Sequence, residues 1–419
     1  MEYLYNIVMH FYAFGAWIAS FFNEKICKLV KGHRLTLDLI RENISPDDYV
    51  VWFHAASLGE FEQGCPLIER LRKNHPEYKI LLTFFSPSGY EVRKDYKNAD
   101  VVCYLPFDTK HNVRRFLDLA NPNIAIFIKY EFWYFYLTRL HRRGVRIYSI
   151  SSIFREGQFY FKYDFATTML RQFDHLCVQN ESSRKLLAEK GITGVTVTGD
   201  TRFDRVVDIR NASSDLPLVE CFKAGQRVFI AGSSWQPDEE VYLPYFDNHT
   251  DWKLIIAPHE IHHDRIDKLL KHLEGKKVAR YTEAETMYKS GRTAEAKSLV
   301  KDADVLIVDC FGKLSSIYRY GEIALVGGGF GAGIHNVPEA AVYGLPVLFG
   351  PNNRKFREAQ ALKECGGSFE YTDSQSFAQI MDRLIDEPGF LKSAGDKAGA
   401  YINDNAGAAV KCYEIIFGK

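Results

Sequence analysis

Two tandem parallel α/β domains behind an apolar N-terminal helix are the fold this sequence predicts, on three observations. From residue 49 short apolar runs alternate with helical patterns, the segment VVDIRNASSDLPLVE interrupts that rhythm, and a second series of the same kind starts at RVFIAGSS. Strand, helix, strand at this spacing defines βαβ units, whose strands pair in parallel under helices on both faces. A chain of 419 residues is also too long for one ordinary core and divides into domains of roughly 200 residues each.

The N-terminal element is YLYNIVMHFYAFGAWIASFF, residues 3–22, in which Asn6 and His10 are the only strongly polar members. As a helix it is about 30 Å long, one hydrocarbon thickness. It has no basic region ahead of it and no convincing small-residue cleavage site, which argues against a removed signal peptide. Lys25, Lys28, Lys31 and Arg34 follow at once, a flank that would hold the rest of the chain on the cytoplasmic side beside anionic lipid. Residues 1–34 are therefore expected to form a membrane anchor with its basic flank, whether spanning the bilayer or lying on it. The alternative is an N-terminal helix buried in a soluble fold.

The first strand series runs YVVWFHAA, KILLTFF, VVCYLP, IAIFIKY, RIYSIS, HLCVQ and VTVTG, within a domain expected over residues 35–210. Residues 211–225 read as a linker, and 226–419 as a second domain with RVFIAGSS, WKLIIAP, KVARYT, VLIVDC, EIALVGG and LPVLFGP. Lys plus Arg and Asp plus Glu both total 53, so no overall field favours nucleic acid and an anionic ligand needs a local site. Eight cysteines are scattered without a C-x-x-C pair, which fits reduced thiols in a cytosolic domain better than a disulfide framework or a zinc ribbon.

In such sheets ligands bind beyond the carboxyl ends of the strands, so the residues that follow strands carry the information. They are Ser57, Gly59 and Glu60; Glu131; Asp200, Arg202 and Asp204; Ser233 and Ser234; His259; and the segment GGGFGAGIHNVPEAA, residues 327–341. In that last segment the glycines, with 328 and 329 at its centre, let backbone approach a ligand, and a helix beginning near Asn336 would aim free N–H groups at a phosphate. Glu339 in its first turn could accept from a ribose. The spacing also fits a loose dinucleotide fingerprint, but such a turn is a structural necessity in many α/β domains. A nucleotide held by the second of two tandem domains points to a glycosyltransferase of the two-domain B type. His259, Glu260 and His263 match H-E-x-x-H, yet the preceding apolar run makes His259 a strand-end residue and Pro258 can at best open a helix, so a zinc site lacks its structural context. Asp302 to Asp304, DAD, precede a strand and read as a solvated loop.

The motifs FHAASLGEFEQGCPLIERL, LLTFFSPSGYE, IFIKYEFWYFYL, GDTRFD and GGGFGAGIHNVPEAAVYGLPVLFGP, in order across two domains, resemble the 3-deoxy-D-manno-octulosonic acid (Kdo) transferases of lipopolysaccharide biosynthesis. The resemblance implies an inverting transfer of Kdo from CMP-Kdo to a lipid A precursor, lipid IVA, at the cytoplasmic face of the inner membrane of a Gram-negative bacterium. It implies Glu60 as the general base that takes the proton of the attacking hydroxyl, with Ser57, Gly59 and Glu131 on the acceptor side; a structural role for Glu131 at its strand end is the alternative. The first Glu of the family's Glu-x-Glu-x-Trp segment is Lys129 here. On the donor side it implies Arg202, Ser233, Ser234, His259, Gly328, Gly329, Asn336 and Glu339. The family's Ala-Pro-Arg-His is here APHEIHH, so His259 or His262 stands in for the missing Arg. Fixed cations and helix N-termini can stabilise departing CMP without a metal, and neither metal nor cofactor is expected. Two other readings remain open: the same architecture with a UDP-sugar donor, as transferase or epimerase, and a membrane-bound nucleotide or glycan binding protein without catalysis.

Overall fold

The computed structural model describes residues 2–418. They pack as two units: the chain up to Arg205 together with the segment from Ala406 onward, and Val206–Asn405.

In the first unit β1 (Val50–Ala55), β2 (Lys79–Phe84), β3 (Val101–Tyr104), β4 (Ile124–Ile128), β5 (Arg146–Ser152), β6 (His175–Val178) and β7 (Val195–Val197) form one parallel sheet in the order β3-β2-β1-β4-β5-β6-β7. Alternate residues feed two cores, as the pleat requires. Val50 and Trp52 of β1 pack with Ala125 and Phe127 of β4 on one face. Val51 and Phe53 pack with Ile124, Ile126 and Ile128 on the other. Burial on both faces is why these strands read as continuous apolar runs instead of alternating ones.

The second unit repeats the plan. β8 (Arg227–Ser234), β9 (Trp252–Pro258), β10 (Val278–Arg280), β11 (Val305–Ile307), β12 (Ile323–Val326), β13 (Val347–Phe349) and β14 (Ser368–Glu370) pair in parallel in the order β10-β11-β9-β8-β12-β13-β14. Each sheet has a point where the strand order reverses, between β1 and β4 in the first and between β8 and β12 in the second. At such a point successive crossovers leave on opposite faces and open a crevice at the carboxyl ends of the strands.

Three boundaries differ from the sequence expectation. The expected linker, 211–225, is mostly helical: the helix Thr201–Ala212 ends in it, and Pro217–Lys223 buries Leu218, Val219 and Phe222. The expected second domain, 226–419, loses its last helix, Ala408–Phe417, to the first unit, where Cys412 and Ile416 join the β1 and β4 core. Asp204 holds the start of that helix, its Oδ1 accepting the N–H of Gly407 at 3.0 Å and its Oδ2 that of Ala408 at 3.1 Å. A contact two hundred residues away in the chain has no periodic signal.

The third difference is the N-terminal anchor. No helix among the described residues is long and apolar enough to cross a membrane. α1 (Glu2–Ala19) lies along the first unit and is bonded to it from the side. The Tyr5 hydroxyl donates to Asp108 at 2.7 Å, Asn6 Oδ1 accepts the Lys110 N–H at 3.0 Å, and Glu2 pairs with Lys110 at 3.3 Å. A helix tied laterally to a folded domain by partly buried polar bonds is not surrounded by lipid on all sides. α2 (Glu24–Asn43) follows it back across the unit, with Thr36 donating to the Tyr104 carbonyl at 2.8 Å. Gly32 lies so close to Tyr104 that a Cβ there would sit 2.2 Å from the ring.

Asp204→Ala removes the acceptor for the N-terminal amides of Ala408–Phe417. The expected cost is about 1–2 kcal/mol, seen as a lower urea midpoint at unchanged m-value and faster amide exchange in the last helix.

Candidate active site

The first crevice is built by the segments leaving β1 and β4. α3 (Leu58–Asn74) begins directly after β1, and its N-cap, Ser57, makes no side-chain cap. Glu60, the third helical residue, reaches back past the N-cap, its Oε2 accepting the N–H of Ala56, the residue before Ser57, at 2.6 Å. That bond fixes where this carboxylate sits. Glu60 is 9% exposed, and burial raises its pKa above the ordinary carboxylate value against the opposing pull of Lys129 and the Ala56 and Ser57 amides. Gly59 has open space where a Cβ would be, so the approach to the start of α3 is clear.

Glu131 follows β4. Burial, and then the charge of Glu60, push its pKa up to about 7. The two acids are close enough to repel, and the pair ionises in sequence. Glu131 has no hydrogen bond among the described residues, which departs from the alternative of a carboxylate bonded to backbone at a strand end. Lys129 takes the place of a third acid, with φ of 62°. That left-handed turn is held by its N–H on the Ile150 carbonyl at 2.9 Å and by the Ser149 hydroxyl on its own carbonyl at 3.0 Å. Its ammonium offsets part of the negative charge that two adjacent carboxylates accumulate. Aromatic rings surround the pair. Burial, and then the charge of Glu131, raise the pKa of both Tyr12 and Tyr160, Tyr12 stacks on Phe85 at 6.5 Å, and Phe85 lies 4.9 Å from Trp133. Tyr12, on α1, went unnoticed in the sequence because it lay inside a segment read as lipid-facing.

Arg202 belongs to this unit, and its guanidinium lies on Asp200, with Nε at 2.9 Å and Nη2 at 2.8 Å from Oδ2. Asp200 is in turn bonded to Gln63 of α3 at 3.3 Å.

The second crevice lies between the segments leaving β8 and β12. Gly327 to Gly333 fold back on themselves: the N–H groups of Gly331 and Gly333 donate to the Gly328 carbonyl at 3.0 and 3.1 Å. Internal crowding demands the glycines. A Cβ on Gly327 would lie 2.4 Å from the Ser233 carbonyl, on Gly328, at φ of 96°, 2.5 Å from the Gly333 carbonyl, and on Gly329 2.5 Å from Gly350. The N–H of Gly328, expected to face a donor, is given to Asp238 Oδ2 at 2.9 Å, and the same oxygen accepts the Trp235 N–H at 2.9 Å. One buried carboxylate thereby ties the turn after β8 to the turn after β12, and burial pushes its pKa up to about 6. Ser234, also expected on the donor, turns inward, its hydroxyl 3.1 Å from Glu239 and 3.3 Å from Tyr242. Ser233 is left-handed, with φ of 52°, at the strand end. The helix expected near Asn336 is the short Pro338–Ala341. Asn336 and Glu339 do meet, at 2.7 Å, and Ser315 donates to the second Glu339 oxygen at 2.9 Å.

The histidines separate cleanly. His262 caps the helix His263–His272, its Nδ1 accepting the Arg265 N–H at 3.3 Å. His259 remains at the end of β9 outside that helix, so the H-E-x-x-H residues do not share a helical face. The His259 ring stacks on Trp235 at 4.5 Å and on His335 at 4.3 Å, while Trp235 Nε1 donates to His335 Nε2 at 3.2 Å. That bond makes Nε2 of His335 an unprotonated acceptor, in line with a pKa lowered by burial and by His259. Trp235 and His335 therefore lie edge to edge, with His259 over both, beside the glycine turn. The sequence reading missed Trp235, although it follows β8 directly, and missed Asp238, which looks like an ordinary first-turn helix acid.

A doubly wound domain with paired carboxylates at its switch point, followed by a second such domain with a glycine turn and an aromatic platform, defines the class of two-domain nucleotide-sugar enzymes. Solved structures of that architecture superpose on the chain. A UDP-GlcNAc 2-epimerase from Neisseria meningitidis matches with a TM-score of 0.61, 14% identity, and coverage of 88% of this chain and all of that one. Its counterpart from Methanocaldococcus jannaschii gives 0.53 and 11%, over 85% of this chain and 99% of the other. At these identities they establish the fold alone. Residues 31–205 match the family model described as 3-deoxy-D-manno-octulosonic-acid transferase. The 3-deoxy-D-manno-octulosonic acid transferase of Aquifex aeolicus is 26% identical over 82% of this chain and 88% of its own length. That of Chlamydia trachomatis serovar D is 23% identical over 93% and 90%, and that of Haemophilus influenzae 22% over 88% and 87%. The family model over residues 31–205 and these relatives, aligned over most of their own length, make the chain similar to the 3-deoxy-D-manno-octulosonic acid transferases and support a glycosyltransferase.

The Glu60 and Glu131 pair predicts a pH dependence of stability. With a folded pKa of about 7, Glu131 stays protonated in the folded chain where an unfolded one has ionised, so its contribution to stability falls as pH rises from the ordinary carboxylate value through 7. Glu131→Gln removes that loss: the variant gains on wild type with rising pH, and the difference closes in acid. Denaturation midpoints measured across that range check the sign.

Proposed function

We propose that this protein transfers Kdo from CMP-Kdo to the glucosamine disaccharide of lipid IVA, in lipopolysaccharide core biosynthesis. The observation that carries the reading is the buried carboxylate pair at the β1 and β4 switch point, in a chain whose relatives bear the name of that transferase. Glu60 is the general base. It takes the proton of the attacking sugar hydroxyl as the new bond to the anomeric carbon of Kdo forms and the bond to the CMP phosphate breaks, with inversion. Its raised pKa brings it nearer to working pH than an ordinary carboxylate, which improves proton transfer. Glu131, with its pKa pushed up to about 7, lessens the second charge and in its protonated form can donate a hydrogen bond to the acceptor. Ser57 and Gly59 border the acceptor. On the donor side the Trp235, His259 and His335 platform, the turn at Gly328 and Gly329, Ser233, Asn336 and Glu339 receive the nucleotide. His259 stands in for the basic residue that APHEIHH lacks, and Arg202 offers a further cation for the phosphate.

The test is a radiolabel transfer assay with CMP-Kdo generated in place and tetra-acylated lipid IVA in detergent. Wild type should label the lipid. Glu60→Gln should lose about 10²–10⁴-fold in kcat while CMP affinity is retained. Competition by UDP in place of CMP would move the reading to a UDP-sugar donor, and unchanged behaviour of Glu60→Gln in every assay would favour a binding protein.

The site of action we assign is the cytoplasmic face of the inner membrane, with α1 lying in the interface. Tyr3, Leu4, Phe11 and Phe14 of α1 are exposed, as are Phe21 and Phe22 just beyond it, and Lys25, Lys28, Lys31 and Arg34 follow. An apolar aromatic face beside cations is the pattern of helices that lie at the headgroup boundary. Phe11→Ser with Phe14→Ser should abolish flotation with phosphatidylglycerol vesicles. Full flotation of that variant would refute this role for α1.

A further inference from the structure

Beside α1 the first unit has a cavity of about 420 Å³ that none of the acceptor or donor residues lines. Its wall takes Ala13 from α1, His33, Arg34 and Leu37 from α2, and Asn112 and Arg115 from the helix Lys110–Ala120. Two features set it apart from an ordinary surface groove. Neither Arg34 nor Arg115 has an ion pair or hydrogen bond among the described residues, whereas most surface arginines of this chain are paired. His33 has its Nε2 buried without a partner, its ring edge-on to Phe107 at 4.4 Å, and burial pushes its pKa down to about 4. Its imidazole is therefore neutral, with one nitrogen available as a donor. The one carboxylate on the wall, Asp38, is occupied by Arg41 at 2.6 Å.

Two unpaired guanidiniums and a neutral imidazole beside Ala13, Val30, Leu37, Pro106 and Phe107, with the Asp38 carboxylate taken up by Arg41, suit a tetrahedral oxyanion attached to something apolar. Exposed Phe14 and Leu35 stand one or two residues from the lining Ala13 and Arg34. We propose that this cavity binds the phosphate of a membrane lipid, Arg34 and Arg115 taking the phosphate oxygens while the acyl chains run onto the exposed face of α1. The proposal deepens the interfacial reading of α1: a seated headgroup would fix depth and rotation, which a greasy helix alone leaves free.

The test is calorimetric titration of the full-length protein with dihexanoylphosphatidic acid below its micelle concentration, which needs neither vesicles nor the transfer reaction. Wild type should show saturable binding. Arg34→Ala with Arg115→Ala should weaken it by about tenfold or more, and so should Ala13→Phe, which fills the cavity at unchanged charge. Lys25→Ala with Lys31→Ala, which removes the same charge outside the cavity, should retain it. No saturable binding by wild type overturns the proposal. So does full binding by Ala13→Phe, which would make the effect diffuse surface attraction, or equal affinity for inorganic phosphate, which would make it a free-anion site. A protein that floats with vesicles but fails this titration keeps its interfacial helix and loses the headgroup site.

Discussion

The reversal of strand order in each parallel sheet is the constraint on which the rest depends. Where β1 meets β4, and where β8 meets β12, the chain leaves neighbouring strands toward opposite faces, and no helix covers the strand ends between them. Residues that follow those four strands are therefore the ones forced toward an uncovered crevice. The chemistry collects there in both domains: Glu60 and Glu131 in one, Trp235, Asp238 and the glycine turn in the other. Burying two carboxylates together opposes ionisation of both. That opposition is tolerated because Glu60 serves as the internal acceptor for the start of α3, and because Lys129 sits where a third acid would have made the site worse. The bond to the Ala56 amide and the proposed role as base thus ask the same thing of Glu60, a fixed carboxylate at a helix start.

The second domain solves a different problem with the same geometry. A glycine turn is flexible, and a flexible turn makes a poor nucleotide site, since ordering it on binding costs affinity. Here its glycines are fixed by contacts with their own surroundings, and a single buried Asp238 oxygen spans the two turns. The platform beside them is rigid for the same reason: the Trp235 to His335 bond sets the tautomer and holds the two rings edge to edge under His259. Histidine in APHEIHH, where the resemblance implies arginine, exchanges a fixed charge for a flat ring that can stack, so a nucleotide seated there as proposed would be held more by stacking and less by charge.

The fold was legible because strands buried on both faces have no choice but to be apolar throughout, and the helices between them leave their own period. Strand ends were legible for the same reason, which is why Glu60, Glu131, Ser233 and His259 could be named from sequence. Inward or outward orientation was not. Ser233 and Ser234 are adjacent and chemically identical, and only the buried Glu239 and Tyr242 decide that Ser234 turns inward. The return of Ala408–Phe417 was invisible because Asp204 recognises backbone amides, which every sequence has. How α1 sits was not legible, because lipid and a protein flank both accept apolar side chains. The informative residues were the polar ones, Tyr5 and Asn6, each of which needed a partner that bilayer hydrocarbon could not supply.

The same ambiguity also hid a connection. Because α1 is bound along the first domain instead of projecting from it, one helix carries both the exposed aromatic face and Tyr12, close enough to Glu131 for their charges to interact. Phe85 and Phe107 are each in ring contact with Tyr12. An acceptor with a sugar head and acyl chains needs such a gradient, apolar at one end and acidic at the other, over a distance shorter than itself. A spanning anchor on a tether would bring the enzyme near the bilayer but leave the base free to wander from the surface. On the proposed interfacial placement, a helix bonded to the first domain by Tyr5, Asn6 and Glu2 would fix the distance between membrane surface and carboxylate, and so turn membrane binding into positioning of the attacking hydroxyl.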